Sequence, residues 1–281
     1  MHLRRFVLIL LFSLSALALT AAETSLKVMT FNLRFASDKA PNSWPERRPV
    51  MKQCIQEANA DVIGTQEGVY HQLLDMERDL PHYRWIGLGR EGGSRGEFMA
   101  IFYKPERLEP LQYDHYWLSD TPEVIGSVTW GHSVKRMVTW VRFKDLRTKR
   151  EFYLVNTHFD HQVQGAREKS AELVLSRVKK LDQTVPIIVM GDFNATAGSN
   201  KAYTTLTADD YLKDTWHTAK EKRGEVVKTF HNFKGPVAGD DRIDWILGRG
   251  IDTAWTQILT CNAKGQYPSD HFPIIAEITL K

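Results

Sequence analysis

The sequence predicts an α/β protein in which one sheet packs on another and helices cover the outside. Two observations carry this reading. Short β-rich runs recur along the chain, and several follow one another with no helix between them, which favours direct sheet-on-sheet packing. Between others lie two stretches with apolar residues at helical spacing, each suited to covering one side of a sheet.

The chain opens on a segment that reads separately. Met1 to Arg5 is basic, Phe6 to Leu19 is an apolar run of fourteen, and Thr20-Ala21-Ala22 offers small residues for cleavage. That is the layout of a secretory signal, and the run falls short of the about 20 apolar residues that span a bilayer. We expect residues 1–22 to be removed, leaving a secreted or periplasmic protein with no stable membrane span. Residues 23–281 contain no internal repeat and no Pro/Gly/Ser linker, so one domain is expected.

In chain order the β-rich runs are Lys27–Phe35, Asp61–Gln66, Phe98–Tyr103, Val134–Lys144, Glu151–His158, Pro186–Met190, Arg242–Leu247 and Ile274–Leu280. The first helix is expected over Pro45–Ala58, where Val50, Met51, Cys54, Ile55 and Ala58 share one face. The second is expected over Ala166–Leu181, with Leu173, Val174, Val178 and Leu181 on its apolar side.

Composition excludes several classes. With 42% hydrophobic and 25% charged residues, the chain is neither disordered nor fibrous. Formal charge is +3, but beyond residue 22 there are 35 basic against 34 acidic residues. That balance supplies no global basic field for nucleic acid. The two cysteines, Cys54 and Cys261, are too few for a disulfide scaffold; export would allow one bridge, while Cys54 on an apolar helix face also suits simple packing.

Polar groups stand where apolar runs end. Val28-Met29-Thr30-Phe31 leads to Asn32, Val62-Ile63-Gly64-Thr65-Gln66 to Glu67, and Tyr153-Leu154-Val155-Asn156-Thr157 to His158. Ile187-Ile188-Val189-Met190-Gly191 leads to Asp192-Phe193-Asn194, Ser269-Asp270-His271 precedes the last strand, and Asp244 sits within Arg242-Ile243-Asp244-Trp245. Any one of these suits a turn. Carboxylates gathered from distant strands repel one another unless a hard cation lies among them, and Mg²⁺ takes such oxygen ligands. The sequence lacks a His-x-x-x-His or Cys cluster of the kind that holds zinc.

These segments, with Thr30-Phe31-Asn32-Leu33-Arg34, Gln66-Glu67, Gly96-Glu97-Phe98-Met99-Ala100-Ile101-Phe102-Tyr103, Asn156-Thr157-His158, Gly191-Asp192-Phe193-Asn194 and Ser269-Asp270-His271-Phe272-Pro273, resemble the ordered motifs of the endonuclease/exonuclease/phosphatase superfamily, the deoxyribonuclease I-like fold. The resemblance spans roughly residues 27–281. It implies a four-layer α/β/β/α sandwich with a site at one edge of two packed sheets. It also implies metal-assisted cleavage of phosphate esters.

Roles follow from chemistry at the matching positions. Glu67, Asn32 and Asp270 are the expected metal ligands, for Mg²⁺ by default and Mn²⁺ as a substitute. Asp192 is the expected base for, or orienter of, the attacking water and Asn194 a neutral partner for that water or a phosphate oxygen. His271 is expected to donate to the phosphoryl group, with Asp244 fixing its tautomer. Glu97 with His158 forms a second acid and imidazole pair, for the leaving oxygen or phosphate. Arg136 and Arg167 are candidate phosphate binders. His161, Trp44, Trp117 and Trp130 are candidates for pocket lining or for packing.

The fold leaves the substrate open. The densest basic patch, Lys144 to Arg150, has the composition of a solvated hairpin turn, and no apolar insert for a lipid surface is evident. A monomeric, exported phosphoesterase that hydrolyses a phosphomonoester or phosphodiester by activated-water attack, on a small phosphorylated molecule or a short exposed phosphodiester, is the first expectation. A secreted nuclease on DNA or RNA is an alternative that the net charge does not indicate, and a noncatalytic phosphate-ligand binding protein is a third.

Overall fold

Along β1 (Ser25–Asn32), Leu26 and Val28 enter one apolar cluster while Met29 and Phe31 enter another. The two-residue period of a strand thus feeds two cores at once. β9 (Glu151–His158) repeats the device, sending Phe152 and Leu154 to the first cluster and Tyr153 and Val155 to a third. Strands buried on both faces read as continuous apolar runs, which is why these were visible in the sequence.

The computed structural model describes residues 24–281; the expected signal, residues 1–22, lies outside them. The first sheet has seven strands, in the order β12 (Glu221–Arg223), β14 (Ile251–Ile258), β15 (Ile274–Leu280), β1, β2 (Val62–Gln66), β6 (Ile101–Tyr103) and β4 (Arg84–Ile86). The second has six: β11 (Lys213–Asp214), β13 (Asp244–Arg249), β10 (Ile187–Asp192), β9, β8 (Met137–Asp145) and β7 (Leu108–Trp117). A short pair, β3 (Gly68–Val69) with β5 (Glu97–Phe98), stands beside them.

The shared cluster lies between the sheets. On the outer face of the first sheet, α1 (Trp44–Ala58) and α2 (Tyr70–Asp79) supply Met51, Cys54, Ile55, Leu73 and Met76. Outside the second, α3 (Gln164–Val178) and α4 (Lys201–Leu206) supply Ala171, Val174, Val178, Ala202 and Leu206. Three cores separate four layers, the α/β/β/α sandwich. Truncating one buried leucine such as Leu154, fully enclosed between the sheets, costs about 2–5 kcal/mol.

α1 begins where its sequence says it should. The Ser43 backbone N–H donates to Glu46 Oε2 at 3.0 Å, Pro45 occupies the first turn, and Asn59 closes the helix in the left-handed region. Cys54 of this helix is disulfide-bonded to Cys261; the cysteine does pack on the apolar face, and it is bridged there.

The register places the chemistry. β1 and β2 run parallel and end at the paired Asn32 and Gln66. β9 and β10 run parallel and end at the paired His158 and Asp192, and antiparallel β13 brings Asp244 opposite Asp192. Asp244 opens its strand; the expected start at Arg242 was two residues early. The sheets are stapled beneath these ends. Gln66 Nε2 donates to Asn156 Oδ1 at 2.7 Å, and Asn156 Nδ2 donates to the Thr65 and Ala100 carbonyls at 2.8 and 3.0 Å. Gly64 lies so close that a Cβ would stand 2.8 Å from Asn156 Oδ1.

Several elements carried too little signal to be expected. Among them, β7 contains Pro110 and keeps much of its length exposed, β14 mixes polar and apolar residues, and α2 buries only Gln72, Leu73 and Met76; β4, β11, β12 and α4 are short. The Lys144–Arg150 run does form the turn from β8 to β9, anchored by buried Asp145 on Arg107 at 2.8 Å.

Candidate active site

At the rim of the stapled strand ends lies a cavity of about 510 Å³ lined by Glu67, Glu97, Arg136, His158, Asp192, Asn194, Asp270 and His271. A larger cleft of about 850 Å³ elsewhere is lined by Arg147, Thr148, Arg150, Thr279, Leu280 and Thr24, with neither carboxylate nor imidazole. The first is therefore the candidate site. Arg34, Glu67 and Asn194 all hold left-handed backbone (φ 52°, 61° and 48°), a conformation costly for non-glycine residues and concentrated at functional sites.

One hydrogen-bond chain joins the two sheets through the site. Asn32 Nδ2 donates to Glu67 Oε1 at 3.0 Å and to Asp192 Oδ2 at 2.9 Å, while its Oδ1 accepts from Arg34 N at 2.9 Å. Asn32 therefore turns its nitrogen, not its oxygen, toward the carboxylates. As placed it clamps Glu67 to Asp192, while its oxygen, the atom expected as a metal ligand, accepts one hydrogen bond and keeps a second lone pair.

Asp192 Oδ1 accepts from Asn194 N at 2.9 Å. The Asn194 amide faces the Phe159 carbonyl at 3.1 Å and His158 Nε2 at 3.0 Å. Since a carbonyl only accepts, Nδ2 is the atom there, and it donates to His158 as well. His158 Nε2 also stands 3.3 Å from Asp192 Oδ2. Burial, with the Arg136 charge, holds this imidazole well below its ordinary range. The expected pairing of Glu97 with His158 is not formed: Glu97 Oε2 accepts from Arg90 at 2.6 Å, and His158 Nδ1 has no partner among the described residues. Burial pushes Glu97 up to about 6.

The expected pairing of His271 with Asp244 is present, Nδ1 to Oδ2 at 3.0 Å, and Nε2 stands 3.8 Å from Asp192 Oδ2. Burial works against the imidazolium, but the Asp244 and Asp192 carboxylates outweigh it and raise His271 to about 10. Burial and the neighbouring Asp244 push Asp192 up to about 7. A charged imidazole and a carboxyl group poised near neutrality are thus held side by side.

Glu67 and Asp270 both approach the Arg34 guanidinium, each at 3.7 Å. Asp270 is raised by burial and by Glu67, whereas Glu67 is lowered despite burial because Asn32 and the His271 charge favour its anion. Two nearby carboxylates without a thiolate fit a hard divalent cation that prefers oxygen. Ligand atoms of Glu67, His158 and Asp192 also lie within 4.8 Å of one another, as do those of Asp192, Asp244 and His271. His158 Nε2 and His271 Nδ1 are already in hydrogen-bond contact, and a hard cation prefers oxygen, so the carboxylates are the stronger candidates.

Arg136 is buried and lines the cavity; Nη2 donates to His161 Nδ1 at 3.0 Å, and Nη1 has no partner among the described residues. Arg167 does not reach the cavity. Its guanidinium is spent on Gln164 Oε1 and the Asp160 carbonyl, because α3 starts beside the Asp160 turn. His161 lines the cavity, whereas Trp44, Trp117 and Trp130 pack, their indoles donating to Asp75, the Arg90 carbonyl and Asp120.

Sequence reasoning passed over Arg34, Arg90 and Arg47. Arg34 had one available signal, two residues beyond Asn32 at a strand end. Arg90 lies in a glycine-rich loop without periodicity. Arg47 is fully buried and donates to the carbonyls of Leu33, Arg34, Phe35, Asn42 and Pro268, tying the end of β1 to the segment before Asp270; on a helix it reads as solvated.

Comparison with known proteins agrees with this geometry. Residues 29–271 match the model of the Endonuclease/Exonuclease/phosphatase family. A family protein of Bacteroides thetaiotaomicron is 34% identical, with 92% of this chain and 96% of that chain covered and a TM-score of 0.87. The mannosyl-6-phosphatase of B. thetaiotaomicron VPI-5482 is 33% identical, covering 91% and 100%, with a TM-score of 0.86. D. rerio TDP2, complexed with a single-strand DNA product, shares the fold at 14% identity, 91% and 99% coverage and a TM-score of 0.73. The chain belongs to the endonuclease/exonuclease/phosphatase family, with its deoxyribonuclease I-like fold.

Proposed function

We propose that this protein is an exported, divalent-metal-dependent phosphomonoesterase for a small phosphorylated molecule, with a sugar phosphate as the best fit. The observation that carries the reading is Arg136, a buried guanidinium in the cavity wall with Nη1 unpartnered among the described residues. Its one ion pair among the described residues, Nε to Asp160 Oδ2 at 3.8 Å, is too long for a hydrogen bond; a buried donor left without an acceptor is costly, and a phosphate dianion is a natural partner for it. The similarity to a mannosyl-6-phosphatase supports a monoester and a sugar. Near-neutral charge gives no support to a polyanion.

Asp192 is the group to accept a proton from water as the water oxygen bonds to phosphorus and the ester P–O bond breaks. His271, as imidazolium, donates to a phosphoryl oxygen as charge builds there, and the leaving alkoxide takes its proton from solvent. Asn32 holds Asp192 and Glu67 in place. Glu67 and Asp270 are the residues to hold the cation, magnesium by default or manganese, whose chemistry is to withdraw charge from the phosphoryl and leaving oxygens. The disulfide between Cys54 and Cys261 supports export to an oxidising compartment.

The test is phosphate release by metal-stripped protein from mannose 6-phosphate and nitrophenyl phosphate, beside a nitrophenyl diester and single-stranded DNA and RNA. Monoester turnover restored by Mg²⁺ or Mn²⁺ is expected. Turnover confined to diesters or nucleic acid would overturn the reading in favour of the nuclease.

A further inference from the structure

The cavity lining is of two chemical kinds. Arg34, Arg90, Arg136 and His161 supply basic groups. Phe35 and Phe230 supply aromatic surface, with 36% and 45% of it exposed. Scattered exposed apolar residues are ordinary, but these are the only two exposed phenylalanines among the described residues, and both line this one cavity.

Each is positioned by the backbone that positions a reacting group. The Phe35 N–H donates to Glu67 Oε2 at 3.2 Å, and the Arg34 guanidinium lies 4.5 Å from its ring centre. Phe230 forms a β-bridge with His271, and the two rings lie 5.0 Å apart. Their exposure is therefore held rigidly beside the metal-binding carboxylate and the acid.

A phosphoester has one charged end and one organic end. The arginines take the charge, so the organic end falls to the aromatic surface. We infer that Phe35 and Phe230 form a leaving-group subsite that selects esters of ring-bearing alcohols, a pyranose above all, over open-chain alcohols of equal charge. A flat ring presents a continuous apolar face to an aromatic side chain, while a flexible polyol loses more rotational freedom for less contact. This rests on the phosphomonoesterase reading for the ester class but not for the selection of the alcohol.

The test is the ratio of kcat/KM for hexose 6-phosphate to that for glycerol 3-phosphate, measured in the wild type, Phe35→Ala, Phe230→Ala and Phe230→Leu. Matched methyl diesters of both alcohols are run in parallel. We expect a wild-type ratio above ten, falling at least fivefold in each alanine variant and chiefly through KM, with thermal midpoints retained. Phe230→Leu, which keeps apolar bulk without a ring, should lose an intermediate amount. An unchanged ratio in both alanine variants, or no wild-type preference, overturns the subsite. Turnover confined to the diesters overturns the monoester reading alone, since the ratio is then read on the diesters. No turnover on any ester overturns both.

Discussion

His271 Nδ1 lies 3.0 Å from Asp244 Oδ2, and this contact decides which imidazole of the site carries charge. Both imidazoles stand near Asp192, at 3.3 Å for His158 and 3.8 Å for His271; burial and the Arg136 charge hold His158 well below its ordinary range, whereas the added Asp244 carboxylate raises His271 to about 10 despite its burial. Asp244→Asn keeps the shape and removes the charge. We expect the His271 titration, followed by proton NMR, to fall toward the ordinary value, and kcat/KM at pH 8 to drop roughly 100-fold. An unmoved titration would deny Asp244 its role.

Arg136 and Arg167 separate recognition from scaffolding. Arg136→Met removes the buried guanidinium that faces the cavity, so kcat/KM should fall about 10- to 100-fold, in line with loss of a charge-assisted hydrogen bond. Arg167→Met should change kinetics by less than about threefold and appear instead as lower stability, since Gln164 and the Asp160 carbonyl lose a donor. Steady-state kinetics and thermal melts of the two variants decide it.

Arg47 is a structural cation in the wrong medium: burial lowers it to about 10, yet the carbonyls around it leave no substitute donor. Arg47→Ala should cost about 3 kcal/mol or more, roughly 6–12 °C in the melting midpoint. It should also loosen the Arg34–Phe35 turn, seen as faster amide exchange there.

Acid stability has a named source in His231. The ring stacks on Phe272 at 3.8 Å, and burial with the His271 charge lowers it to about 4. The folded protein therefore prefers the neutral form, while the unfolded chain protonates near 6.5. Its contribution is intact above pH 6.5 and is lost as pH falls toward 4. His231→Phe should flatten that limb of the urea-midpoint profile; an unchanged slope would place the acid sensitivity elsewhere.

Legibility in the sequence followed burial. β9 and β10 were visible because both faces are apolar, and the reacting groups were visible because parallel strands end in them. Asn32, Asp192 and His158 were found for that reason. What their atoms do was not legible: only three-dimensional contacts reveal that Asn32 presents nitrogen to two carboxylates, that Asn194 meets His158, or that Glu97 turns to Arg90. Arg47 and Arg167 sit on helices whose periodicity announces a face but not an end-of-helix partner. Phe35 and Phe230 look like core residues because sequence carries no sign of their exposure.

The central claim is that Asp192 activates water for attack on a phosphomonoester. The most direct measurement compares wild type with Asp192→Asn, under Mg²⁺, for phosphate release from mannose 6-phosphate and for calorimetric binding of inorganic phosphate. The account predicts that release falls at least about 1000-fold while phosphate still binds within a few-fold of wild type. Turnover within tenfold of wild type would contradict it, because no other carboxylate in the cavity is held against both Asn194 and His271.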